Sequence, residues 1–342
     1  MVFLSHTVTG IGVEPVSGIG RQVYGLFKLG WAGVDLFFVL SGFLITGILV
    51  DQKKLLHGQP GKFFGYFYAR RSLRIFPLYY GALAIFLLAG HLATGKSHDF
   101  RDFFIHALYL QNIIGTYPMA LSHFWSLAVE EHFYLILPLV IYWTPTRMLV
   151  KVMLAGVILS VAARILLADG TINVYRFSPT RFDGLLLGGL LSLEVRRPAG
   201  LSKHAAVFFA GASVALLAYL LLSGDRSSQA YAHKTCGYLG FAIFFTCMIR
   251  YVLQSAPGMP LKLLFRTHAL RWLGKLSYCV YIVHWPIILA VSRGLPDNLE
   301  WPMAALLCTS ATAAISLAIA VISWRWFESP ILSMRSRFEI TK

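Results

Sequence analysis

Charge is scarce in this chain: Asp, Glu, Lys and Arg together make up 13% of its 342 residues, against 57% apolar. That balance excludes an ordinary soluble domain and a disordered chain alike. Acids are scarcer still, 15 against 30 basic residues. There are four cysteines, Cys236, Cys247, Cys279 and Cys308, all in apolar runs without short Cys or His spacing. A disulfide framework and a zinc site are therefore not indicated, and the cysteines read as packing residues. The chain also lacks a glycine-rich nucleotide loop, a low-complexity linker and an internal repeat. His57, His91, His98, His106, His123, His132, His204, His233 and His268 show no spacing that calls for a metal.

What remains is length of apolar sequence. Nine runs are long enough to cross or nearly cross a bilayer: 31–50, 75–93, 124–143, 148–168, 181–195, 204–223, 236–254, 274–292 and 302–324. Only helices satisfy their own backbone in lipid, so the expected fold is an all-α polytopic transmembrane bundle. It has nine full spans plus the remnant of a first helix. Residues 1–330 read as one transmembrane domain and 331–342 as a cytoplasmic tail.

Short cytoplasmic loops collect lysine and arginine. The 51–74 loop holds Lys53, Lys54, Lys62, Arg70, Arg71 and Arg74. Later basic connections hold Arg147 with Lys151, then Arg196, Arg197 and Lys203, then Lys262, Arg266 and Arg271. With Arg325, Arg335, Arg337 and Lys342 at the end, all are read as cytoplasmic, which puts 94–123, 169–180, 224–235 and 293–301 outside. The net charge of +15 is then mostly topology, and no nucleic-acid partner is needed. Parity places 7–29 outside too, so His6 is expected to close the outer end of a first helix that begins upstream of this start. An N-terminal segment lying in the interface is the alternative. Segment 103–115 is too short to span and either lies at the interface or re-enters.

Ionisable groups within spans gather at one depth. Asp35 opens 31–50, Glu130 and Glu131 lie in the first turns of 124–143, Arg181 and Asp183 open 181–195, and His6 stands at the same level. A carboxylate at the centre of a membrane helix costs roughly 2.5–3.5 kcal/mol, so these groups need partners or a wet cavity. Ser126, Glu130 and Tyr134 are four residues apart and share a face, with Glu131 about a hundred degrees away. Glu130 is thus the cavity-facing carboxylate, and Glu131 is left to an arginine or water. Alternatively these turns, with Trp125 and Tyr134, form an interfacial belt.

Six motifs in order carry a family resemblance: GVDLFFVLSGFLIT (33–46), FYARRSLRIFPLYY (67–80), FWSLAVEEHFYLILP (124–138), RFDGLLLGGLL (181–191), LGKLSYCVYIVHWPI (273–287) and WRWFESP (324–330). Across essentially its whole length the chain resembles the acyltransferase-3 family of membrane proteins. The resemblance implies transfer of acyl groups, acetyl above all, from cytoplasmic acyl coenzyme A to hydroxyls of surface or exported glycans, in a bacterial plasma membrane with the C-terminus cytoplasmic. No permanently bound cofactor is implied, and the partners are the bilayer, the acyl-CoA donor and the hydroxyl acceptor. His6, in VFLSH, matches the family's catalytic histidine, whereas the arginine that usually precedes it and the family's opening are absent.

Acylating an alcohol with a thioester needs a base for the hydroxyl proton, and imidazole suits that task near neutral pH. Asp35, as the nearer partner, or Glu130 would fix the histidine tautomer. Direct transfer is the simpler course; a covalent step, at histidine or at Ser126, stays open. The oxyanion could be held by backbone amides or by Arg181 and Trp125.

Arg70, Arg71 and Arg74 are read as the dock for coenzyme A phosphates, against a purely topological role. A donor inside and catalytic groups outside require the pantetheine arm to thread between helices. Gly184 with Gly188, and Ser41 or Gly42 with 45–47, are small-residue patches that permit close helix approach. His284 lies mid-helix before Pro286, with Tyr278 and Tyr281 at three-residue steps; it either lines the cavity or is a buried histidine satisfied by a hydroxyl. Glu328 is expected to pair with a loop arginine. The rival classes are a proton- or ion-coupled transporter and a non-catalytic membrane subunit on the same scaffold.

Overall fold

The computed structural model of the chain describes residues 1–15, 18–94, 100–115, 118–196, 203–222, 228–296 and 298–338; Arg197, Lys342 and His98, named above, lie outside them. Among the described residues the regular structure is helical throughout. In chain order the α-helices are α1 Val2–Thr9, α2 Gly18–Lys28, α3 Gly33–Leu55, α4 Pro60–Thr94, α5 Phe100–Ala107, α6 Gln111–Ile114, α7 Trp125–Trp143, α8 Leu149–Leu167, α9 Phe182–Glu194, α10 Lys203–Leu222, α11 Tyr238–Gln254, α12 Pro260–Arg266, α13 His268–Arg293, α14 Trp301–Ser323 and α15 Ser329–Ser333.

Seven helical stretches among the described residues are long and apolar enough to cross a membrane: Gly18–Leu55, Pro60–Ala89, Met119–Trp143, Leu149–Leu167, His233–Gln254, His268–Arg293 and Trp301–Phe338. They account for seven of the nine apolar runs. The run 181–195 folds as α9, whose 13 residues reach only about 20 Å, short of the ~30 Å hydrocarbon core. The run 204–223 folds as α10, a helix of 20 residues. The 51–74 "loop" is mostly helix. Gly58 turns the chain at φ 76° and Pro60 opens α4 with a ring already set for the first helical turn, so Arg70, Arg71 and Arg74 stand on a helix. The described part of the expected tail, 331–338, is helical too: α15 is followed by a 3-10 turn, Met334–Phe338, that packs against α4.

The chain divides into two compact units that interleave in sequence: Met1–Val2, Lys28–Lys54 and Trp125–Leu263 in the first, and Phe3–Phe27, Leu55–Phe124 and Leu264–Lys342 in the second.

The first unit is organised by a parallel pair, α3 and α9. Their backbones meet directly: a Cβ on Gly42 would lie 1.8 Å from the Leu185 carbonyl oxygen, and one on Gly188 would lie 2.0 Å from that of Val39. Ion pairs pin both ends of the contact. Arg181 binds Asp35 at 2.7 Å in the buried end, and Arg196 binds Asp51 at 2.8 Å in the exposed one. Helix α7 runs the same way, with Lys53 Nζ donating to the carbonyls of Ile141 (2.7 Å) and Thr144 (2.8 Å) near its C-terminus. A cation there satisfies orphan carbonyls and the helix dipole together.

In the second unit, Tyr79 and Tyr80 of α4 donate to the carbonyls of His106 and Ala107, both at 2.8 Å. They anchor the short α5–α6 segment, in keeping with its being too short to span. Helices α13 and α14 pack through Leu276, Cys279 and Ala320, with Leu78 of α4 against them. Tyr278 donates to the Ile75 carbonyl at 3.1 Å. Helix α1 joins α14 through Thr309 donating to Thr7 at 3.0 Å and through the cluster Val8, Tyr24, Trp301 and Ala305.

The direct contact of α3 with α9 makes Gly188→Ala a sharp test. The added methyl must force the helices apart, and a loss of about 1–3 kcal/mol is expected for such overpacking. Thermal unfolding of the purified protein in detergent should show a lowered midpoint, whereas Gly211→Ala, with open space around its Cβ position, should not.

Candidate functional site

The second unit buries a set of imidazoles. Pro286 has no N–H, so the Ile282 carbonyl one turn earlier loses its intrahelical donor. His123 takes that place, its Nε2 lying 3.0 Å from the Ile282 oxygen. Two more bonds fasten the 3-10 segment Met119–Phe124 to α13: Tyr281 Oη donates to the His123 carbonyl at 3.0 Å, and Trp285 Nε1 to that of Met119 at 2.8 Å. Beside them, His284 is 1% exposed and places Nδ1 2.6 Å from the Tyr281 carbonyl oxygen. Its Nε2 is 2.9 Å from His6 Nδ1, with the rings inclined by only 7°. The edge of Trp285 closes over His6, ring centroids 4.9 Å apart.

These contacts determine the tautomers. A carbonyl can only accept, so His284 Nδ1 carries hydrogen and, in the neutral ring, Nε2 presents its lone pair. His6 Nδ1 therefore donates, and His6 Nε2 is the basic nitrogen. It has no protein hydrogen-bond partner among the described residues.

In the first unit the start of α9 forms a second polar centre. Arg181 pairs with Asp35 at 2.7 Å, and Arg164 pairs with Asp183 at 2.9 Å and donates to the Thr180 carbonyl at 2.8 Å. All four side chains are buried. Aromatic rings enclose the Arg181 guanidinium, with its carbon 4.2 Å from the centroid of Tyr238, 5.2 Å from Tyr175, 5.7 Å from Phe38 and 5.9 Å from Trp125. Such faces stabilise a cation that water does not reach. On α7, Tyr134 donates to Glu130 Oε1 at 3.0 Å and also bonds Ser41 of α3. Ser126 and Glu130 are buried, whereas Glu131 is half-buried, as the helical phase requires.

The structure places Asp35, Arg181, Asp183, Trp125, Ser126, Glu130 and Tyr134 in the first unit and His6 with His284 in the second, where the sequence led to the expectation of one shared level. It differs over the histidine's orienting partner: the place expected for Asp35 at the imidazole N–H is held by His284, while Asp35 Oδ1 is engaged by Arg181. A carboxylate beside a guanidinium gains a charge-assisted bond that a neutral imidazole cannot match. Arg164 and His123 were missed. Arg164 stood inside an apolar run, where an arginine is itself a signal; His123 carried none, because its partner is created by a proline in another helix.

On α4, Arg70 and Arg71 are half-buried about one turn before Ile75, and Arg74, the residue next to Ile75, is exposed; Arg70 Nε donates to the Tyr66 carbonyl at 3.1 Å. Glu328, which accepts from Ser323 at 2.9 Å, lies within electrostatic reach of Arg74. The Tyr66 ring meets Phe338 of the C-terminal 3-10 turn at 6.2 Å.

Apolar helices that enclose imidazoles in one unit and paired charges in the other define a multi-pass integral membrane protein with polar chemistry in its interior. A family profile described as an acyltransferase domain matches residues 1–321, and the chain belongs to that family, acyltransferase-3. It is 31% identical over 331 residues to the peptidoglycan O-acetyltransferase OatA of Listeria monocytogenes, a match covering 89% of this chain and 51% of that protein. To the O-acetyltransferase OatA of Staphylococcus aureus it is 26% identical over 359 residues, covering 94% and 56%. The chain therefore spans about half the length of the curated relatives it matches. No solved structure matches it.

Replacing His123 by Phe leaves the Ile282 carbonyl buried without its donor, a cost of about 1–3 kcal/mol. The variant should unfold at lower temperature, and Pro286→Ala in the same chain should recover part of the loss by returning an intrahelical N–H. Circular dichroism melts of the single and double variants would read this out.

Proposed function

We propose that this protein is a membrane O-acyltransferase that moves an acetyl group from acetyl-CoA to a hydroxyl of a cell-envelope glycan of the peptidoglycan kind, in a bacterial plasma membrane with its C-terminus cytoplasmic. The observation that carries this reading is His6, an imidazole held in the tautomer that leaves Nε2 basic, in a chain of this family. The names of its relatives support the acetyl group and the acceptor class.

The acceptor oxygen attacks the thioester carbonyl carbon while its proton passes to His6 Nε2. The carbon–sulfur bond then breaks, and the departing coenzyme A sulfur takes that proton, so the histidine ends as it began. General base catalysis of this type contributes roughly 10²- to 10⁴-fold. Asp35 and Glu130, engaged by Arg181 and Tyr134, support the framework of the first unit and receive no proton in this scheme.

Arg70, Arg71 and Arg74 are the proposed dock for the donor's phosphates. Helices α4 and α13 run in the same direction, with Ile75 level with Tyr278, and Tyr79 against Phe124 beside His123. At 1.5 Å per residue the arginines then lie about 10 to 16 Å from His284 along the axis. An extended phosphopantetheine arm bridges such a distance, so the phosphates stay at the basic end while the acyl group reaches His6.

Transfer of label from acetyl-CoA to soluble peptidoglycan fragments, in membranes bearing the protein, tests the proposal. His6→Ala should lower turnover by about 10²- to 10⁴-fold without loss of folded protein; near-normal transfer would reject the base. Arg70→Ala with Arg74→Ala should raise KM for the donor more than it lowers kcat, as lost ground-state binding does. An unchanged donor saturation curve would return these arginines to topology alone.

A further inference from the structure

We infer that His284 is a positioning residue that works with His6 as a two-imidazole relay, orienting the base and accepting its second proton when it becomes charged. The inference rests on the proposed reading of His6 as the base. The contact has the form of a hydrogen bond and not of a face-to-face stack: the nitrogens are 2.9 Å apart, the rings are nearly parallel, and their centroids are 5.2 Å apart. The second anchor is a backbone carbonyl, so His284 is held from both sides. Its ring cannot flip without losing the 2.6 Å bond to Tyr281.

The proton balance closes. When the acceptor proton arrives at His6 Nε2, His6 holds hydrogen at both nitrogens. Passing the Nδ1 proton to His284 Nε2 leaves His6 neutral with its new Nε2 proton, and turns His284 into an imidazolium. Both of its N–H groups then have acceptors, His6 Nδ1 and the Tyr281 carbonyl. On breakdown of the tetrahedral adduct the relay runs backward, and the Nε2 proton leaves with the sulfur.

The surroundings within the unit leave this task to a histidine. The titratable groups facing His284 are His6 from α1, His123 from the 3-10 segment, with ring centroids 5.2 Å away, and Tyr281 on its own helix. Helix α14 carries no ionisable side chain besides Cys308. Tyr79 and Tyr80 of α4 already donate to the carbonyls of His106 and Ala107. No carboxylate is among them, so an aspartate of the kind that assists histidine in hydrolases is replaced here by a second imidazole.

The test uses the full chain in nanodiscs, with acetyl-CoA and soluble peptidoglycan fragments, following kcat and KM from about pH 5 to 9, the range in which imidazoles titrate. His284→Phe should lower kcat by at least ~10-fold, within the span of acid–base effects, leave donor KM unchanged, and move the acidic limb of the kcat profile. His284→Gln, which accepts the Nδ1 hydrogen but takes up no proton, should fall between. Should the Phe variant fail to fold, His284→Gly with added imidazole decides: recovery of turnover supports the relay, and no recovery in a folded variant refutes it. A pH profile unmoved in His284→Gln, with kcat within about twofold of the parent, would overturn the relay while the contrast with His6→Ala still upheld the base. Full transfer by His6→Ala would instead remove the base and the relay together.

Discussion

The ion pair between Asp35 and Arg181 is the constraint around which the first unit is arranged. Among apolar helices neither group has water to fall back on, and removing one partner of such a pair leaves an uncompensated charge that costs several kcal/mol. Meeting that demand places the start of α3 against the start of α9 and brings Tyr238, Tyr175 and Trp125 around the guanidinium. Gly42 and Gly188 then let the two helices touch along their length. Arg164 and Asp183 repeat the solution one step away, so opposite charges offset each other at this level.

Around the histidines of the second unit the same rule is met with neutral groups. Backbone carbonyls and imidazoles pair there, and the pattern follows from one missing N–H, that of Pro286. Because the Ile282 carbonyl is open, His123 docks; because His123 docks, the segment before α7 lies against α13 and flanks the ring of His284. Structure and chemistry thus share the same few residues. A histidine cluster built on backbone acceptors has fixed tautomers, which is what an acid–base site requires.

Much of this was legible in the sequence. Among the described residues, seven of the nine apolar runs are helices long and apolar enough to span, and the four-residue spacing of Ser126, Glu130 and Tyr134 gave the correct inward face of α7. The run 181–195 reads as a span because its leucines raise its hydropathy, yet its helix has 13 residues. The arginines at 70 and 74 were correctly spaced for a helix but were assigned to a loop, since charge density imitates one. Partner choice was the least legible feature. Asp35 and His6 look like a catalytic pair when only adjacency in sequence is weighed; the structure satisfies each with a residue more than a hundred positions away, Arg181 and His284.

The bond from His123 to Ile282 joins residues 159 positions apart, and the acceptor lies in a helix that leaves the ribosome much later than the donor. Until α13 arrives, the 3-10 segment waits with its imidazole hydrogen undirected, and α13 enters lipid with one bare carbonyl that no rotation of its own can cover. Closing that bond ties the hairpin of α13 and α14 to a much earlier part of the chain, so the histidine cluster is completed only once α13 has been made, and a nascent protein carries no assembled base before then.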